Sequence, residues 1–167
     1  LARHIGMLVA AGQDSVSDNT INDFLLKQYN SDFAAIENIR FGRSESVDRV
    51  VTSSFTDANA DNPLSLRVEQ QWLTDTSGDG RELFISEYRL INRGSDSLFS
   101  LYPAIFADWD IRDAQANRAA WDATHQLAYV YDDSLYAGLA LLGQATAAHY
   151  AIDKLERNGN TADLQGI

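Results

Sequence analysis

Residues 66–92, LRVEQQWLTDTSGDGRELFISEYRLIN, consist of two apolar segments on either side of a polar, glycine-containing segment. In the first segment Leu66, Val68 and Trp72 share one face of an extended chain, and charged or amide side chains occupy the other. The second segment, residues 82–92, carries apolar side chains on both faces, which is typical of a strand that is covered on both sides. The intervening DTSGDG supplies turn residues. The stretch therefore predicts a β-hairpin with Trp72 in the core.

Short apolar runs that end in breaks rich in Asp, Asn and Gly recur along the rest of the chain. The longest alternating run covers residues 98–111 and places Trp109 on its apolar face, so we expect Trp109 in the core as well. Further strands are predicted at residues 4–10, 47–55, 127–131 and 136–142, with a loop at residues 56–63. Residues 113–122 break the strand pattern and are compatible with a helical turn. Residues 145–152 fit either a strand or a helix, and residues 153–158 fit a short helix.

These elements define the expected fold class. No repeat period and no internal linker divides the sequence, and 167 residues suit one domain with a hydrophobic core. We therefore expect an all-β protein: a single domain over residues 1–167, built as a two-sheet antiparallel β-sandwich with short helical turns. About six to ten strands are expected for such a sandwich.

Composition and charge exclude several classes of function. The chain has 24 Asp and Glu against 13 Lys and Arg, a net charge of −11, which argues against nucleic-acid binding because that depends on clustered basic side chains. It has no cysteine, and therefore no disulfide scaffold, thiolate zinc site or cysteine nucleophile. Asp outnumbers Glu by 18 to 6, which favours turns over helices. No stretch approaches the length of a membrane span.

The stretch from Asp108 to Asn117 is the strongest candidate for a metal site. Alternation places Asp108 and Asp110 on the same face of a strand end, about 7 Å apart. Asp113 and Asn117 follow in the next loop and could fold back to add oxygen ligands, which is the chemistry that calcium prefers. The same four residues also fit turn capping and pairing with arginines, and two nearby carboxylates could serve as acid and base. Calcium is the one cofactor that the sequence suggests, and it is not required.

Motifs for catalysis are missing from the sequence. The three histidines are far apart and lack zinc-hydrolase spacing, and there is no GxSxG elbow, phosphate-binding loop or dinucleotide fingerprint. The DTSGDG segment resembles the start of a calcium loop, but Ser86 stands where the pattern requires a glutamate, so a hairpin turn is the better interpretation. His125 and His149 are interpreted as packed or surface side chains. We expect a protein that is not itself an enzyme.

Trp121 is the aromatic candidate for ligand binding. It lies in the segment that breaks the strand pattern, whereas Trp72 and Trp109 lie on apolar strand faces. An exposed tryptophan can stack on a sugar ring, although packing at the rim of the core is the ordinary role of such a residue. A glycan is therefore the alternative partner suggested by the aromatic residues.

Several segments occur in an order that resembles a known group of proteins. They are VEQQW (68–72), FISEYRLIN (84–92), LYPAIFADWDI (101–111), NRAAWD (117–122), LAYVYD (127–132) and AGLALL (137–142), with HIGMLV (4–9) and DSVSD (14–18) as the opening. This order resembles the non-catalytic β-sandwich region that follows the protease domain in secreted bacterial subtilisin-like serine peptidases. The resemblance covers about two-thirds of the chain and carries strand patterns rather than a catalytic motif.

The resemblance implies a non-catalytic accessory or interaction domain, excised from a larger secreted or cell-surface bacterial protein. Its partner would be the protease domain, or another domain, of the same chain, and its role would be stability, substrate presentation or surface attachment. The start at Leu1 rather than at a methionine agrees with that expectation. Such a domain predicts an exposed hydrophobic patch or edge for docking. The alternative is a carbohydrate-binding β-sandwich module, stabilised by calcium, with exposed aromatics beside the Asp108–Asn117 cluster.

Overall fold

The computed structural model describes residues 2–12, 14–23, 28–113, 116–143 and 145–151. Within these ranges the protein is all-β, as predicted, and its helical content is one short 3₁₀ helix, Gly78–Glu82. The strands are β1 (Ala2–Ala11), β2 (Val16–Asp18), β3 (Ile21–Asp23), β4 (Gln28–Tyr29), β5 (Ala34–Gly42), β6 (Arg49–Thr56), β7 (Leu66–Thr74), β8 (Ile85–Asn92), β9 (Leu101–Trp109), β10 (Arg118–Asp122), β11 (Leu127–Asp132) and β12 (Leu135–Ala140).

The largest sheet is an antiparallel four-stranded meander in the order β5-β6-β7-β8. Its β7–β8 pair is the hairpin predicted from residues 66–92, joined through the 3₁₀ helix. Directly opposite residues of an antiparallel pair share a face, so the register aligns Phe55, Val68 and Leu90 across one face. The same face carries Ser53, Gln70 and Tyr88 in a second row, and Phe41, Val51, Trp72 and Ser86 in a third.

The edge strand β5 contains two irregularities. Its register with β6 shifts between Ala35 and Glu37 and again between Glu37 and Arg40, and each shift adds one residue to β5. One added residue reverses which face the following side chains occupy, and the second restores it. Phe41 consequently lies on the same face as Val51.

A second antiparallel meander has the order β10-β11-β12, with Trp121 opposite Ala128 and Tyr131 opposite Tyr136. The turn between β11 and β12 has two residues, Asp133 and Ser134, and Asp133 adopts a left-handed φ of 52°. A third sheet has the order β2-β1-β9, in which β1 and β2 are antiparallel, and β3 pairs with β4.

The described chain divides into two compact units. One contains the described residues of Met7–Asn19 and Asn30–Ala104, and therefore the whole four-stranded sheet. The other contains the remaining described residues, including the β10-β11-β12 sheet. The expected arrangement as a single two-sheet sandwich stays a prediction.

The hydrophobic core of the first unit lies at one end of the four-stranded sheet. Val9 of β1, Leu66 and Val68 of β7, and Leu64 beside them are almost fully buried. Partly buried side chains pack around them: Ala11, Phe33, Phe55, Tyr88, Leu90, Leu98 and Leu101. Phe33 and Phe55 meet edge-on with ring centroids 5.0 Å apart. In the second unit Ile21 and Ile111 are buried, with exposed fractions of 3% and 1%.

Asp57 closes this buried end of the sheet. Its carboxylate is fully buried and accepts hydrogen bonds from the backbone N–H of Leu64 at 2.6 Å, the N–H of Leu66 at 2.8 Å and the Ser17 hydroxyl at 3.1 Å. A buried carboxylate needs such donors because they replace the water it loses. The loop predicted at residues 56–63 is present, and Asp57 fixes it to the start of β7.

Three interpretations of the secondary structure are wrong in the described residues. The chain has twelve strands there, more than the expected range, because the count includes β2, β3 and β4, which have only two or three residues each. Residues 118–122 form β10 rather than a helical turn, since pairing with β11 overrides the helical propensity of its alanines. Residues 145–151 form neither strand nor helix, and the short helix expected at residues 153–158 lies outside the described residues.

Candidate functional site

The four-stranded sheet exposes aromatic side chains at the end away from the core. Phe41 is 82% exposed, Trp72 37% and Phe84 48%, and the rings of Trp72 and Phe84 stack with centroids 5.4 Å apart. The prediction of Trp72 as a core residue is therefore wrong. We call Phe41, Trp72 and Phe84 the aromatic patch.

The aromatic patch is comparable in area to the largest apolar patch of an ordinary monomer. Taking about 150–250 Å² for each full aromatic side chain, its three members expose roughly 250–400 Å². The largest apolar patch on a typical monomer covers about 300–600 Å² and is often functional. Further apolar side chains of the same sheet and its β7–β8 connection are exposed: Ile36, Ile39, Leu83 and Ile85.

A row of hydrogen-bonded polar side chains separates the patch from the core. The Ser53 hydroxyl donates to Gln70 Oε1 at 3.3 Å, and Gln70 Nε2 donates to the Tyr88 hydroxyl oxygen at 3.2 Å. Burial raises the pKa of Tyr88, because it disfavours the charged phenolate. This row lets the strands continue past the core without an unsatisfied polar group at that position.

Asp48 closes the exposed end of the sheet. Its carboxylate accepts hydrogen bonds from the Thr76 hydroxyl at 2.6 Å and the Thr76 N–H at 3.0 Å, and its own N–H donates to Asp75 Oδ1 at 3.2 Å. The Thr76 hydroxyl bond is the main reason why the pKa of Asp48 lies below its usual range. The DTSGDG segment thus acts as a hairpin turn, with Gly78 at a left-handed φ of 64°.

The predicted calcium ligands lie around the end of β9. Asp108 is in the strand and Asp110 follows it directly; both are partly buried, whereas Asp113 is exposed. Asn117 closes the loop: its Oδ1 accepts from the Ile111 N–H at 3.0 Å, and its Nδ2 donates to the carbonyls of Ile111 at 2.7 Å and Asp113 at 2.9 Å. Both polar atoms of the Asn117 amide are thus hydrogen-bonded to the backbone of the loop that follows the buried Ile111.

The part of the chain that the structure describes contains no group of three or more His, Asp or Glu side chains arranged to hold a metal ion. Calcium also accepts backbone and amide oxygens, which such a group does not include. Calcium binding at Asp108, Asp110, Asp113 and Asn117 therefore stays a prediction.

Trp121, the predicted ligand-binding aromatic, lies on β10 and is partly buried. Its ring stacks on His149, with centroids 5.7 Å apart and planes inclined by 15°. The Gln126 side chain holds the segment that carries His149, donating to the Ala145 carbonyl at 2.7 Å and accepting from the Ala147 N–H at 2.6 Å. One ring face of Trp121 is occupied by His149.

Asp122 and His125 form a carboxylate–imidazole pair within one turn. The His125 Nδ1 lies 2.6 Å from Asp122 Oδ2, and the Thr124 N–H donates to Asp122 Oδ1 at 2.9 Å. The bond to His125 is the main reason why the pKa of the Asp122 carboxyl lies below its usual range. Among the described residues no serine hydroxyl hydrogen-bonds to His125, so this pair is a turn contact rather than two members of an assembled triad.

A cluster of tyrosines was missed by the sequence analysis. Tyr129 and Tyr131 on β11 and Tyr136 on β12 share one face of the three-stranded sheet, with ring centroids 5.8–6.3 Å apart. A signal was present, since the two-residue turn at Asp133 and Ser134 brings Tyr131 opposite Tyr136.

Comparison with known protein families, curated proteins and solved structures finds no match to this chain. In the described residues no helix is both long and apolar enough to cross a membrane.

Proposed function

We propose that this protein is a non-catalytic accessory domain that docks, through the aromatic patch, on the peptidase domain of a secreted bacterial subtilisin-like serine peptidase. The observation that carries the proposal is the exposure of Phe41, Trp72 and Phe84 at the far end of the four-stranded sheet. The sequence resemblance supplies the kind of parent protein and its extracellular location. The exposed aromatic side chains of the patch support an apolar contact with another domain.

The size of the patch favours a partner in the same polypeptide over a free one. A stable complex between separate proteins buries about 800 Å² on each partner. The aromatic patch exposes roughly half of that area or less, when about 150–250 Å² is taken for each full aromatic side chain. Tethering compensates for a small contact, because a linked domain is present at an effective concentration in the millimolar range. A small aromatic contact is thus suited to holding a linked domain in place.

The role proposed for the contact is stabilisation and positioning of the catalytic domain. Aromatic side chains are the usual anchors of interfaces since each removes a large apolar area from water. The flanking polar row of Ser53, Gln70 and Tyr88 already forms its hydrogen bonds with each other while the patch is exposed. Docking therefore needs no rearrangement of the sheet.

The first experiment tests the parent protein. An antibody raised against the protein isolates the native polypeptide from the culture medium and from lysed cells of the bacterium that produces it. We expect a polypeptide heavier than the 18.5 kDa of this chain, recovered from the medium and labelled by a fluorophosphonate probe for active serines. An unlabelled polypeptide of 18.5 kDa, or one confined to the cell interior, contradicts the accessory role.

The second experiment tests the docking surface in that native parent. Hydroxyl-radical footprinting should find Phe41, Trp72 and Phe84 protected in the parent and oxidised in the isolated chain. Tyr150, which is 66% exposed and lies in the other unit, is the internal control and should be oxidised equally in both. Equal oxidation of the three patch residues in both samples rejects the patch as the docking surface.

A matched pair of variants links the patch to stability. Replacing the patch residues together (F41S, W72S and F84S) in the parent should lower the melting temperature of its catalytic domain. The control variant, L142S with Y150S, changes two residues that are 68% and 66% exposed and should leave that temperature unchanged. A loss of stability common to both variants points to a general effect of surface substitution and contradicts specific docking.

A further inference from the structure

The tyrosines of the three-stranded sheet form a continuous aromatic surface. Tyr131 and Tyr136 are cross-strand neighbours whose ring planes are inclined by only 18°, with centroids 5.8 Å apart. Tyr129 lies 6.0 Å from Tyr131 and 6.3 Å from Tyr136. Tyr136, on the edge strand β12, is 65% exposed. We call these three residues the tyrosine face.

Gly138 allows this arrangement. It stands opposite Tyr129 in the β11–β12 register, where a Cβ would lie 2.8 Å from the Tyr129 Cβ and 2.6 Å from the Ala128 carbonyl oxygen. Both distances are too short for a side chain without displacement of the strands. The absence of a side chain at residue 138 therefore leaves Tyr129 close to β12 and within reach of Tyr136.

Charged groups border the tyrosine face at one end. A cleft of about 240 Å³ is lined by Ala116, Arg118, Tyr131, Asp132 and Asp133. Arg118 is directly opposite Tyr131 in the β10–β11 register and is exposed. Asp133 projects from the two-residue turn and pairs with Arg112 at 3.7 Å. The tyrosine face thus places an aromatic ring and a guanidinium donor beside the Asp133 carboxylate of the turn, whereas Asp132 follows Tyr131 directly and by alternation lies on the opposite face of the sheet.

We propose that the tyrosine face binds a neutral oligosaccharide. A pyranose ring has one surface of C–H groups, which packs on an aromatic face, and a rim of hydroxyls that both donate and accept hydrogen bonds. Tyr136 and Tyr131 supply the stacking surface. Arg118 supplies donors, and Asp133 supplies acceptors. Saccharide binding here is independent of the accessory role and of Trp121.

The charge around the cleft favours a neutral saccharide over an acidic one. Arg112 is paired with Asp133, so Arg118 and Asp132 remain as one positive and one negative group in the immediate lining. A uronate or a phosphate would therefore meet a lining without net positive charge, on a chain whose net charge is −11. Sugar hydroxyls, by contrast, make use of the arginine as a donor and of Asp133 as an acceptor.

The experiment is isothermal titration of the protein with a panel of neutral hexasaccharides of glucose, mannose and xylose. Hexagalacturonic acid is the acidic comparison. We expect at least one neutral member to bind at concentrations up to about 5 mM. Y136A should weaken its binding about tenfold or more, since it removes the most exposed stacking ring, and R118A should weaken it by a smaller factor.

Two further variants test whether an effect of Y136A is due to loss of the Tyr136 ring on the tyrosine face. Y136F retains the ring and should retain binding, whereas Y150A removes an equally exposed tyrosine away from the tyrosine face and should bind as the unchanged protein does. Circular dichroism confirms that each variant is folded. Binding of no neutral hexasaccharide, tighter binding of hexagalacturonic acid, or binding that survives Y136A each overturns the proposal.

Discussion

The two ends of the four-stranded sheet are built from the same strands and have opposite surroundings. At one end Leu66 and Val68 are almost completely buried and Asp57 is enclosed with its three donors. At the other end, Trp72 of the same strand and on the same face is exposed, and Asp48 forms its hydrogen bonds in contact with solvent. Apolar and polar residues alternate in the same way at both ends of the strand. The alternation therefore indicates which residues share a face, but it does not indicate which part of that face is buried by other elements.

The buried core and the exposed aromatic patch thus occupy different ends of one sheet. Each end is closed by an aspartate that accepts backbone and hydroxyl hydrogen bonds, so local geometry is maintained in both. What differs is the apolar area that folding removes from water.

Leu66→Ala should lower the free energy of unfolding by about 2–5 kcal/mol, because it leaves a cavity in a fully buried cluster. Trp72→Ala, on the same strand and face, should lower it by only about 1 kcal/mol, the scale of its stacking on Phe84. Chemical denaturation of both variants measures the two values. Equal losses would show that the exposed end is as important for folding as the core.

Asp57→Asn should lower the free energy of unfolding by about 1–3 kcal/mol. An amide can accept from only one of the two N–H groups, of Leu64 and Leu66, that now donate to separate carboxylate oxygens. The other N–H then faces an NH₂ group and stays buried without an acceptor. The control is Asp61→Asn in the same loop, where the side chain is exposed; denaturation of the two variants should differ clearly.

Thr76→Val should make the smallest difference, and one that depends on pH. The variant loses the Thr76 hydroxyl bond, the main cause of the lowered folded-state pKa of Asp48, and keeps the Thr76 N–H bond. The stabilisation by the hydroxyl bond is present above pH 3.8 and is lost as the pH falls through the lowered pKa. The gap in denaturation midpoint between the protein and this variant should be constant from about pH 7 to 5 and narrow below about pH 4. A gap independent of pH would exclude Asp48 as its source.

Much of the fold could be predicted from the sequence, and the failures have physical causes. The β7–β8 hairpin follows directly from the alternation around DTSGDG. In β5 the two bulges interrupt alternation, and its exposed Ile36 and Ile39 match neither a half-buried strand nor a loop. In β10 the alanines favour a helix, and only the pairing with β11 reveals the strand.

The candidate sites were harder to predict because they depend on register. Phe41, Trp72 and Phe84 come from separate segments and come to lie on one face of the sheet only once β5 to β8 are aligned. Asp57 looks like one of several loop aspartates in the sequence, and its burial depends on the position of β7. The tyrosine face could have been derived locally from the two-residue turn between Tyr131 and Tyr136.

The two bulges of β5 have a consequence for how copies of this protein meet. An uninterrupted edge strand presents a straight row of amide and carbonyl groups that another chain can extend, which is the usual route to fibres. Here the added residues interrupt that row twice within nine residues. A strand from another chain that pairs in register with one part of β5 is out of register with the part beyond the bulge. This edge is therefore a poor template for pairing with strands of other chains. The protein can therefore carry exposed phenyl and indole rings beside an edge that discourages polymerisation.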